Sequence, residues 1–415
     1  MICTTLSQTK ERKKVTIRAS DRLDPVRSDI RGPLYEEALR MKAAGTEVLM
    51  LNTGNPGRFG FSLPESLRAA LLSRLDEAVP YCDVRGMRDA REAVARYHRE
   101  RGIEGASPDD VFLSNGVSEA ATMLATALLG TGEELLLPSP CYSLWSNAAR
   151  LADAVPVFYR CDPANGWQPD LDDIKRKIGP RTKAILVIDP NNPTGAVYGR
   201  EVLEGIAALA RERGLVLIAD EIYDRLVLDG APFLSLASLA PDLPCVTLNG
   251  LSKSHIVCGF RCGWMLFSGP AGVLDEVRAG VMKLAAMRLC GNVLSQLAVP
   301  AALADRAFTR EMLEGRLRGQ RDVFCRALDG IDGVSYVKNR AAFYLFPGLE
   351  RERFSFASAE EFALSFLREE RVLVIPGSGF DWTEDLRFRV VMLPEAPVLR
   401  DAADALGRFL SRHRR

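Results

Sequence analysis

Short runs of apolar residues recur through the middle of the chain, and several are continuous rather than alternating with polar residues. Continuous runs of this length are typical of strands that are covered on both faces, as in a largely parallel sheet flanked by helices. The sequence therefore predicts strands over residues 111–113, 134–137, 155–159, 184–188, 215–219 and 245–248.

Segments with a helical period lie before and between these runs. Residues 88–102 carry apolar side chains on one helical face and end at Gly102, and residues 117–129 form a second helix that ends at Gly130. Strands and helices that alternate in this way predict an α/β fold with a mostly parallel sheet.

The pattern changes towards both ends of the chain. Residues 1 to about 20 are polar and basic, and we expect them to form a loose arm. After about residue 300, a long charged helix over residues 306–328 is followed by short strand-like runs and by a closing helix that reaches Arg412. This order predicts a smaller α+β domain. The short runs are residues 334–337, 343–346, 372–375 and 386–391.

The composition indicates a globular protein, and the charge balance argues against nucleic acid and membranes as partners. The 415 residues are 47% hydrophobic and 26% charged, and 54 basic residues balance 54 acidic ones, so the net charge is zero. This balance gives no electrostatic attraction to nucleic acid or to an anionic membrane. No apolar run approaches the roughly 18 residues that span a bilayer, and the first residues lack the apolar core of a signal peptide. We therefore expect a cytoplasmic protein.

Cysteine and histidine usage argues against disulfides and metals. The cysteines are odd in number and form no CxxC pair, and the histidines are few and far apart, so we expect reduced thiols and no metal site. The cysteines are Cys3, Cys82, Cys141, Cys161, Cys245, Cys258, Cys262, Cys290 and Cys325, and the histidines are His98, His255 and His413.

Polar residues cluster where the predicted strands end, which is the edge at which open α/β sheets bind ligands. Residues 114–119, Ser-Asn-Gly-Val-Ser-Glu, join a strand to a helix, with Ser114 or Asn115 as the helix cap and Gly116 allowing a tight turn. Free N–H groups at such a helix start form a cradle for phosphate, and an ordinary capped helix is the alternative. The segment is neither a GxGxxG nor a Walker motif, which excludes dinucleotide and P-loop interpretations.

Three further strand ends carry candidate chemistry. Residues 189–195, Asp-Pro-Asn-Asn-Pro-Thr-Gly, predict a rigid turn that presents an amide side chain. Asp220 ends a buried strand, so it either meets a cation or donor or caps the next helix. Lys253 follows the next strand in apolar surroundings with Arg261 nearby, and we expect burial and that arginine to lower its pKa, as suits a Schiff-base amine.

In this order and combination, the motifs resemble those of the pyridoxal-phosphate-dependent aminotransferases of fold type I, classes I and II. The resemblance runs from about Asp24 to the C-terminus, and it is strongest to the bacterial alanine (glutamate–pyruvate) aminotransferase group. It rests on LNTGNP (51–56), YCDVRG (81–86), SNGVSE (114–119), DPNNPTG (189–195), ADEIYD (219–224), LSKSHIVCGFRCGW (251–264) and RFRVVMLP (387–394), and for the group on SDIRGP, GNPGRFGF, GLSK and MRLCGN.

The resemblance implies an architecture and an activity. The fold would be α/β, a fold type I transferase with a large, mostly parallel seven-stranded sheet domain and a smaller α+β domain. Residues 1–55 would be an N-terminal arm that contributes to the small domain and the active site, residues 56–300 the large cofactor-binding domain, and residues 301–415 the small C-terminal domain. The enzyme would be a transaminase that moves an amino group between an L-amino acid, alanine or glutamate, and a small 2-oxo acid by a ping-pong mechanism.

The same resemblance assigns residues to the ring of the cofactor, pyridoxal 5′-phosphate. Lys253 would form the Schiff base with the cofactor and then carry the proton between the substrate α-carbon and the cofactor. Asp220 would keep the pyridine nitrogen protonated. Asn192 and Tyr223 would bond the phenolate oxygen, and Tyr142 would stack on the ring.

Other residues would bind the phosphate group and the substrate. Val117, Ser118, Ser252 and Arg261 would hold the phosphate, and Tyr81 would reach the phosphate of the neighbouring subunit, which implies a homodimer.

Arg389 would clamp the substrate α-carboxylate, with Asn192 and the backbone at Gly54 assisting. The partners would thus be small amino and oxo acids, with no nucleic acid, membrane or metal.

One departure from the group leaves the substrate open. Ser28 stands where these enzymes usually carry Tyr, so the pocket is either enlarged or more polar, with Arg31 and Arg58 as extra anion contacts. A larger, doubly anionic or phosphonate oxo acid in a biosynthetic pathway is therefore an alternative substrate. For Arg58, an exposed surface charge is the simpler interpretation.

Two other activities compete with transamination. A pyridoxal-phosphate-dependent lyase or decarboxylase would need the same Lys253 and Asp220, although Arg389 favours transamination. A non-catalytic regulator on the same fold usually carries a DNA-binding domain, and residues 1–20 are too few for a helix-turn-helix.

Overall fold

The computed structural model describes residues 17–27 and 32–415. The strands in chain order are β1 Leu49–Met50, β2 Val111–Ser114, β3 Glu134–Ser139, β4 Val155–Asp162, β5 Gln168–Pro169, β6 Thr182–Ile188, β7 Val216–Asp220, β8 Cys245–Gly250, β9 Gly263–Ser268, β10 Val334–Ser335, β11 Tyr344–Leu345, β12 Gly348–Leu349, β13 Val372–Leu373, β14 Ile375–Pro376 and β15 Leu386–Val391.

Helices cover both faces of the strands. In chain order they are α1 Pro33–Ala43, α2 Glu65–Ser73, α3 Arg88–Arg99, α4 Val117–Leu128, α5 Leu144–Leu151, α6 Leu171–Lys177, α7 Arg200–Arg213, α8 Leu236–Leu239, α9 Leu251–Ser254, α10 Asp275–Met287, α11 Val293–Gln296, α12 Val299–Ala304, α13 Ala307–Met312, α14 Arg318–Asp329, α15 Ala359–Glu370 and α16 Ala396–Arg412. Of the helices in residues 17–27 and 32–415, none is long and apolar enough to cross a membrane.

The larger sheet is mostly parallel, as the continuous apolar runs predict. Within the described residues its order is β2-β9-β8-β7-β6-β3-β4-β5. The central strands β8, β7, β6, β3 and β4 run parallel, and β9 is antiparallel to both of its neighbours. The short β5 pairs with the edge of β4, so this sheet has eight strands where the resemblance implied seven.

Both faces of this sheet are buried, which explains the continuous apolar runs. Alternate residues of β6 belong to different cores: Ile185 and Val187 pack on one side, and Ala184, Leu186 and Ile188 on the other. Since each side chain of such a strand contacts a helix layer, apolar residues are favoured at every position. The polar residues of the central strands are thereby concentrated at the strand ends.

A smaller sheet forms in the last part of the chain. Its order is β10-β12-β15-β11, with β14 also paired to β15. Its core is rich in phenylalanine and packs against α14, α15 and α16. The N-terminal segment joins this region because β1 pairs in parallel with β13.

Several predicted elements differ in detail from the observed ones. The helix predicted over residues 88–102 ends at Arg99, and the one predicted over 306–328 is interrupted by a π-helical turn, Leu313–Leu317. The sequence analysis did not predict β9, whose first two residues belong to the glycine-rich motif that ends at Trp264. In the smaller sheet, strands form where the sequence predicted them, but β10 and β11 are shorter than predicted. Only β15 has the predicted length.

Candidate active site

A cavity of about 810 Å³ lies at the carboxyl ends of β6, β7 and β8, where these parallel strands reach the same edge of the larger sheet. Tyr344 of β11 and Arg389 of β15 belong to its wall, so both sheets contribute to it. The cavity brings together most of the residues that the sequence predicted: Gly54, Val117, Ser118, Tyr142, Asn192, Asp220, Tyr223, Ser252, Lys253, Arg261 and Arg389.

Asp220 is the last residue of β7 and is only 3% exposed. Its Oδ2 accepts a hydrogen bond from Trp145 Nε1 at 2.8 Å, and its Oδ1 accepts one from the Ile222 N–H at 3.4 Å. Burial raises the pKa of Asp220 to about 6, although these donors and the charge of Lys253 act in the opposite direction. A carboxylate held in this way is suited to a cationic group that enters the cavity.

Lys253 lies in the short helix α9, directly after β8. Its Nζ donates to the carbonyl of Gly54 at 3.1 Å and lies 6.0 Å from the ring centroid of Phe343. The sequence predicted a lowered pKa, and this prediction was wrong. Burial does lower the pKa of Lys253, but Tyr344, Cys258 and Tyr142 raise it, and the net shift is upward. The site therefore favours the ammonium form of Lys253, which donates a hydrogen bond to the Gly54 carbonyl.

Arg389 is a buried cation at the wall of the cavity, 2% exposed. Its Nη1 donates to Asn192 Oδ1 at 3.0 Å, and its Nη2 donates to the carbonyl of Asn52. The guanidinium lies 4.6 Å from the ring centroids of both Tyr344 and Phe380. Its Nε is buried and has no hydrogen-bond partner in the described part of the chain, and burial lowers the pKa of Arg389. These features suit a carboxylate ligand, which would add the missing acceptor and a neutralising charge.

The turn after β6 explains why Asn192 is free to contact Arg389. Asn191 closes the turn, because its Oδ1 accepts from the Thr194 hydroxyl at 2.8 Å and from the Thr194 N–H at 3.3 Å. The backbone closes it further, with Asn191 N–H bonded to Ala196 and Gly195 N–H bonded to Asn191. One asparagine thus builds the turn and the next presents its amide, as the two prolines and glycine predicted.

Tyr223 and Tyr344 form a pair of hydroxyls beside Lys253. Their oxygen atoms are 3.0 Å apart, and both side chains are buried. Burial and the neighbouring Tyr344 hold the pKa of Tyr223 well above its ordinary value. Tyr223 is therefore a neutral hydrogen-bonding group here.

Helix α4 begins at the cavity with its first N–H groups uncapped. Gly116 is the N-cap, with a φ of 84°, and no side chain caps the helix. The predicted cap by Ser114 or Asn115 was wrong, because Asn115 bonds the Glu119 carboxylate through both its N–H (2.7 Å) and its amide (2.9 Å). The helix start is therefore left open to an anion.

Arg261 lies against this helix start. A Cβ at Gly116 would come within 2.4 Å of Arg261 Nη2, so the missing side chain is what lets the guanidinium approach. Arg261 is exposed and is held by the carbonyls of Cys258 (2.9 Å) and Asn115 (3.3 Å). Together with Ser118 and Ser252 on the same cavity wall, it completes a donor set that suits phosphate.

Some predicted residues are not part of the cavity in this chain. Tyr81 is 76% exposed and does not line it. Arg58 is exposed and does not line it either, which agrees with a surface charge. Ser28 and Arg31, and most of the expected N-terminal arm, lie outside the described residues.

The sequence analysis did not identify Trp145, Tyr344 and Arg27 as residues of the site. Trp145 does not line the cavity but bonds Asp220, and Tyr344 lines the cavity and bonds Tyr223. An aromatic residue is commonly explained by packing alone, so nothing in the sequence marked the polar atoms of these two side chains. Arg27 lies in the polar N-terminal segment, and Asn147 fixes its backbone by hydrogen bonds of 3.0 and 2.7 Å. Only the contact between that segment and α5 in the folded chain shows that Arg27 lines the cavity.

Comparisons with known proteins show which family the chain is similar to. Residues 46–406 match the family model described as Aminotransferase class I and II. The chain is 45% identical over 397 residues to the glutamate-pyruvate aminotransferase AlaA of Haemophilus influenzae, covering 95% of this chain and 98% of that protein. It is 44% identical over 398 residues to the alanine aminotransferase of Mycobacterium tuberculosis, covering 95% and 93%. A crystal structure of an aminotransferase from Escherichia coli matches with a TM-score of 0.94 at 42% identity, covering 97% of this chain and all of that one.

The raised pKa of Asp220 predicts a stability cost in the cofactor-free protein. The folded pKa of about 6 exceeds the ordinary value of 3.8, so the stability contributed by this group is complete below about pH 4 and is lost as the pH rises through 6. At pH 8, Asp220→Asn is expected to increase the free energy of unfolding by up to about 3 kcal/mol, and the gain is expected to vanish near pH 4. Denaturant unfolding of the cofactor-free wild type and of cofactor-free Asp220→Asn at pH 8 and pH 4 measures this difference in the free energy of unfolding.

Asp242→Asn is the matched control for this experiment. Asp242 is exposed, and the hydrogen bond from Arg211 lowers its pKa, so no gain at pH 8 is expected. Equal stability of wild type and Asp220→Asn at pH 8 would contradict the prediction.

Proposed function

The chain belongs to the aminotransferase class I and II family, and on that basis we propose that it exchanges an amino group between glutamate and pyruvate, with pyridoxal 5′-phosphate as its cofactor. It is an aminotransferase that acts on an amino acid and a 2-oxo acid. The observation that carries the proposal is the grouping of the Lys253 amine, the Asp220 carboxylate and the Arg389 guanidinium around one cavity. Relatives named as glutamate-pyruvate and alanine aminotransferases favour these substrates over an unusual oxo acid or a lyase reaction.

The cofactor fits the donor set of the cavity. Asp220, buried and hydrogen-bonded only by neutral donors, would hold a protonated ring nitrogen. The uncapped start of α4 at Val117 and Ser118, with Ser252 and Arg261, would hold the phosphate.

Tyr142 would cover the ring face, and Asn192 and Tyr223 would bond the ring hydroxyl. The chemistry that pyridoxal phosphate supplies when bound is a carbonyl that joins amines covalently and a ring that accepts electrons from the α-carbon.

Lys253 has two tasks in this proposal. Its amine would hold the cofactor covalently, and as a free amine it would carry a proton to and from the substrate α-carbon. Because the cavity favours the ammonium form, proton loss from Nζ accompanies its first task. The Gly54 carbonyl at 3.1 Å would orient the released amine.

Arg389 would bind the carboxylate of each substrate in turn. Its buried Nε has no partner among residues 17–27 and 32–415, and its stack between Tyr344 and Phe380 fixes the plane of the guanidinium. Amino acid and oxo acid both carry a carboxylate next to the reacting carbon, so one arginine serves both. Since both substrates would use this same arginine, the first product would leave before the second substrate binds, which is a ping-pong order.

We further propose that the enzyme is a homodimer in which Tyr81 contacts the cofactor phosphate of the neighbouring subunit. Tyr81 is exposed although it is aromatic, and six other large apolar side chains are exposed in the segments 72–79 and 287–294. A surface of this kind indicates a protein interface. The exposed side chains are Leu72, Leu75, Val79, Met287, Leu289 and Leu294.

Removing the amine tests the function. Lys253→Ala is expected to lower the rate of the glutamate half-reaction by at least about 10³-fold, because both the covalent link and the proton carrier are lost. Single-turnover absorbance measurements with reconstituted protein give the rate of this half-reaction. Lys283→Ala, which removes an exposed lysine of α10, is the control and is expected to match the wild type. A rate for Lys253→Ala near that of the wild type would exclude the proposal.

Substituting Arg389 tests substrate binding. Arg389→Lys retains the charge but not the planar fork, and we expect kcat/KM for glutamate, alanine and pyruvate to fall by about 10- to 100-fold. Arg387→Lys is the matched control, since Arg387 lies in the same strand but pairs with Asp385 at 2.9 Å outside the cavity. Similar losses in both variants would mean that the effect comes from the strand and not from the carboxylate.

The dimer predicts a measurable role for Tyr81. The protein is expected to sediment at twice the chain mass, and Tyr81→Phe is expected to leave this mass unchanged while weakening cofactor affinity about tenfold, through loss of a hydrogen bond to a charged group. Tyr336→Phe, whose hydroxyl bonds Asp329 at 2.6 Å in the smaller α+β region, is the control. A monomer at micromolar concentration, or an unchanged affinity in Tyr81→Phe, would overturn this assignment.

A further inference from the structure

A network of polar side chains lies next to the active-site cavity, and the proposed mechanism does not use it. Asp224 and Arg225, which directly follow Tyr223, both contact the hydroxyl of Tyr97 in α3. That hydroxyl donates to Asp224 Oδ2 and accepts from Arg225 Nε at 3.3 Å. None of these three contacting residues lines the cavity. The turn that presents Tyr223 is thereby fixed to α3 from outside the cavity.

Asp224 is the charged centre of this network. Arg101 Nε donates to Asp224 Oδ2 at 2.9 Å, and the Asp224 side chain is only 1% exposed. Burial acts to raise the pKa of Asp224, but Arg101 and the Tyr97 hydroxyl outweigh burial, and the net shift is downward. The carboxylate is therefore ionised at neutral pH and keeps both donors, so the Tyr97 hydroxyl is held in place as an acceptor for Arg225.

The guanidinium of Arg225 extends from this turn to the end of α12. It donates to the carbonyls of Leu303 at 3.0 Å, Asp305 at 3.2 Å and Ala302 at 3.4 Å. The carbonyls at a helix C-terminus have no acceptor role within the helix, and the helix dipole favours a cation there. One side chain therefore joins the turn of Tyr223 to the end of α12.

His255 attaches the segment of Lys253 to the same end of α12. Its Nε2 lies 2.7 Å from the Ala302 carbonyl, so this nitrogen carries the proton and donates. Its Nδ1 accepts from the Ser254 hydroxyl at 2.9 Å. Burial and the charge of Arg225 lower the pKa of His255 to about 4, so the ring is neutral at neutral pH. Arg225 and His255 thus share the Ala302 carbonyl.

A further contact holds the same segment. Thr309 of α13 donates its hydroxyl to the Ser254 carbonyl at 2.9 Å. Helix α9, which carries Lys253, is only four residues long, too short to keep its position by internal hydrogen bonds alone. The position of the Lys253 amine, 3.1 Å from the Gly54 carbonyl, therefore depends on the attachments of Ser254 and His255.

We propose that Arg225 and His255 are positioning residues of the aminotransferase, which together hold the Lys253 amine where it can transfer a proton to and from the substrate α-carbon. This inference rests on the proposed function, which assigns that proton transfer to Lys253. Neither positioning residue lines the cavity, so both act through the segments that they fix. Proton transfer requires hydrogen-bond reach, and a displacement of about 1 Å can cost about 100-fold in rate. Substrate binding is assigned to Arg389 and is expected to be unaffected.

Two substitutions remove these contacts, and two conservative ones retain part of them. Arg225→Met removes every N–H donor, and His255→Phe removes both ring nitrogens. In the holoenzyme, each is expected to lower kcat about tenfold with either glutamate or alanine as the amino donor, while KM for both donors stays within about twofold. Arg225→Lys keeps a charged donor and His255→Gln keeps an N–H for the Ala302 carbonyl, and both are expected to recover most of the lost rate.

A second measurement does not depend on turnover. In the cofactor-free protein, the pH dependence of Lys253 labelling by acetic anhydride, followed by peptide mass mapping, gives the pKa of this amine. Burial acts to lower that pKa, but Tyr344 and other neighbours raise it above its ordinary value. An amine that has moved away from these neighbours is expected to show a lower pKa in Arg225→Met and His255→Phe than in the wild type.

Arg91→Met is the matched control for a buried arginine. Arg91 of α3 also donates to two carbonyls, those of Gly86 at 3.0 Å and Pro108 at 2.9 Å, so kcat and the labelling of Lys253 are expected to match the wild type. Unchanged kcat and unchanged labelling in Arg225→Met would overturn the proposal. So would an equal loss in Arg91→Met, or a change confined to KM.

Two further results keep this inference separate from the proposed function. If the wild type does not exchange amino groups between glutamate and pyruvate, the proposed function fails, and the labelling of Lys253 alone decides whether Arg225 and His255 place the amine. Ser254→Ala removes only the hydroxyl that bonds His255 and is expected to shift kcat and the labelling in the same direction. This variant decides the question where a larger substitution prevents folding.

Discussion

The site depends on one energetically costly group, the buried carboxylate of Asp220. A carboxylate is stable at the end of a buried strand only where donors or a cation offset its desolvation. Trp145 supplies the main donor from α5, and the parallel order of the central strands brings the amine of Lys253 to the same edge of the sheet. The larger sheet thereby fixes the two groups that the proposed cofactor would need, while the smaller sheet adds Arg389, which we propose binds the substrate carboxylate.

Much of this arrangement could be predicted from the sequence, because strands that are buried on both faces appear in it as continuous apolar runs. The apolar runs of β6, β7 and β8 are nearly continuous since both faces are covered, and most polar residues, such as Asp220 and, in the turn after β6, Asn192, lie at or after the strand ends. The resemblance to a family then assigned tasks to residues whose positions the pattern had already grouped. Residue type and order were sufficient at these points.

Properties that arise from contacts between distant segments could not be predicted in this way. The pKa of Lys253 is raised by tyrosines and a cysteine that only the folded chain brings near it, so burial and a nearby arginine gave the wrong sign. The cap expected from Asn115 failed because Glu119 and Asn292 take its polar atoms. Tyr344 bonds Tyr223 across the two sheets, a contact that no local pattern reports.

The position of Arg389 late in the chain also has a consequence for synthesis. Its guanidinium is held by Asn52 from the first part of the chain and by Asn192 from the middle, yet β15 that carries it precedes only the closing helix α16. The strands that carry Asp220 and lead to Lys253 leave the ribosome much earlier. Asp220 and Lys253 are therefore synthesised well before Arg389, so a chain truncated before β15 would carry the carboxylate and the amine of the proposed cofactor site but not the arginine proposed to select the substrate.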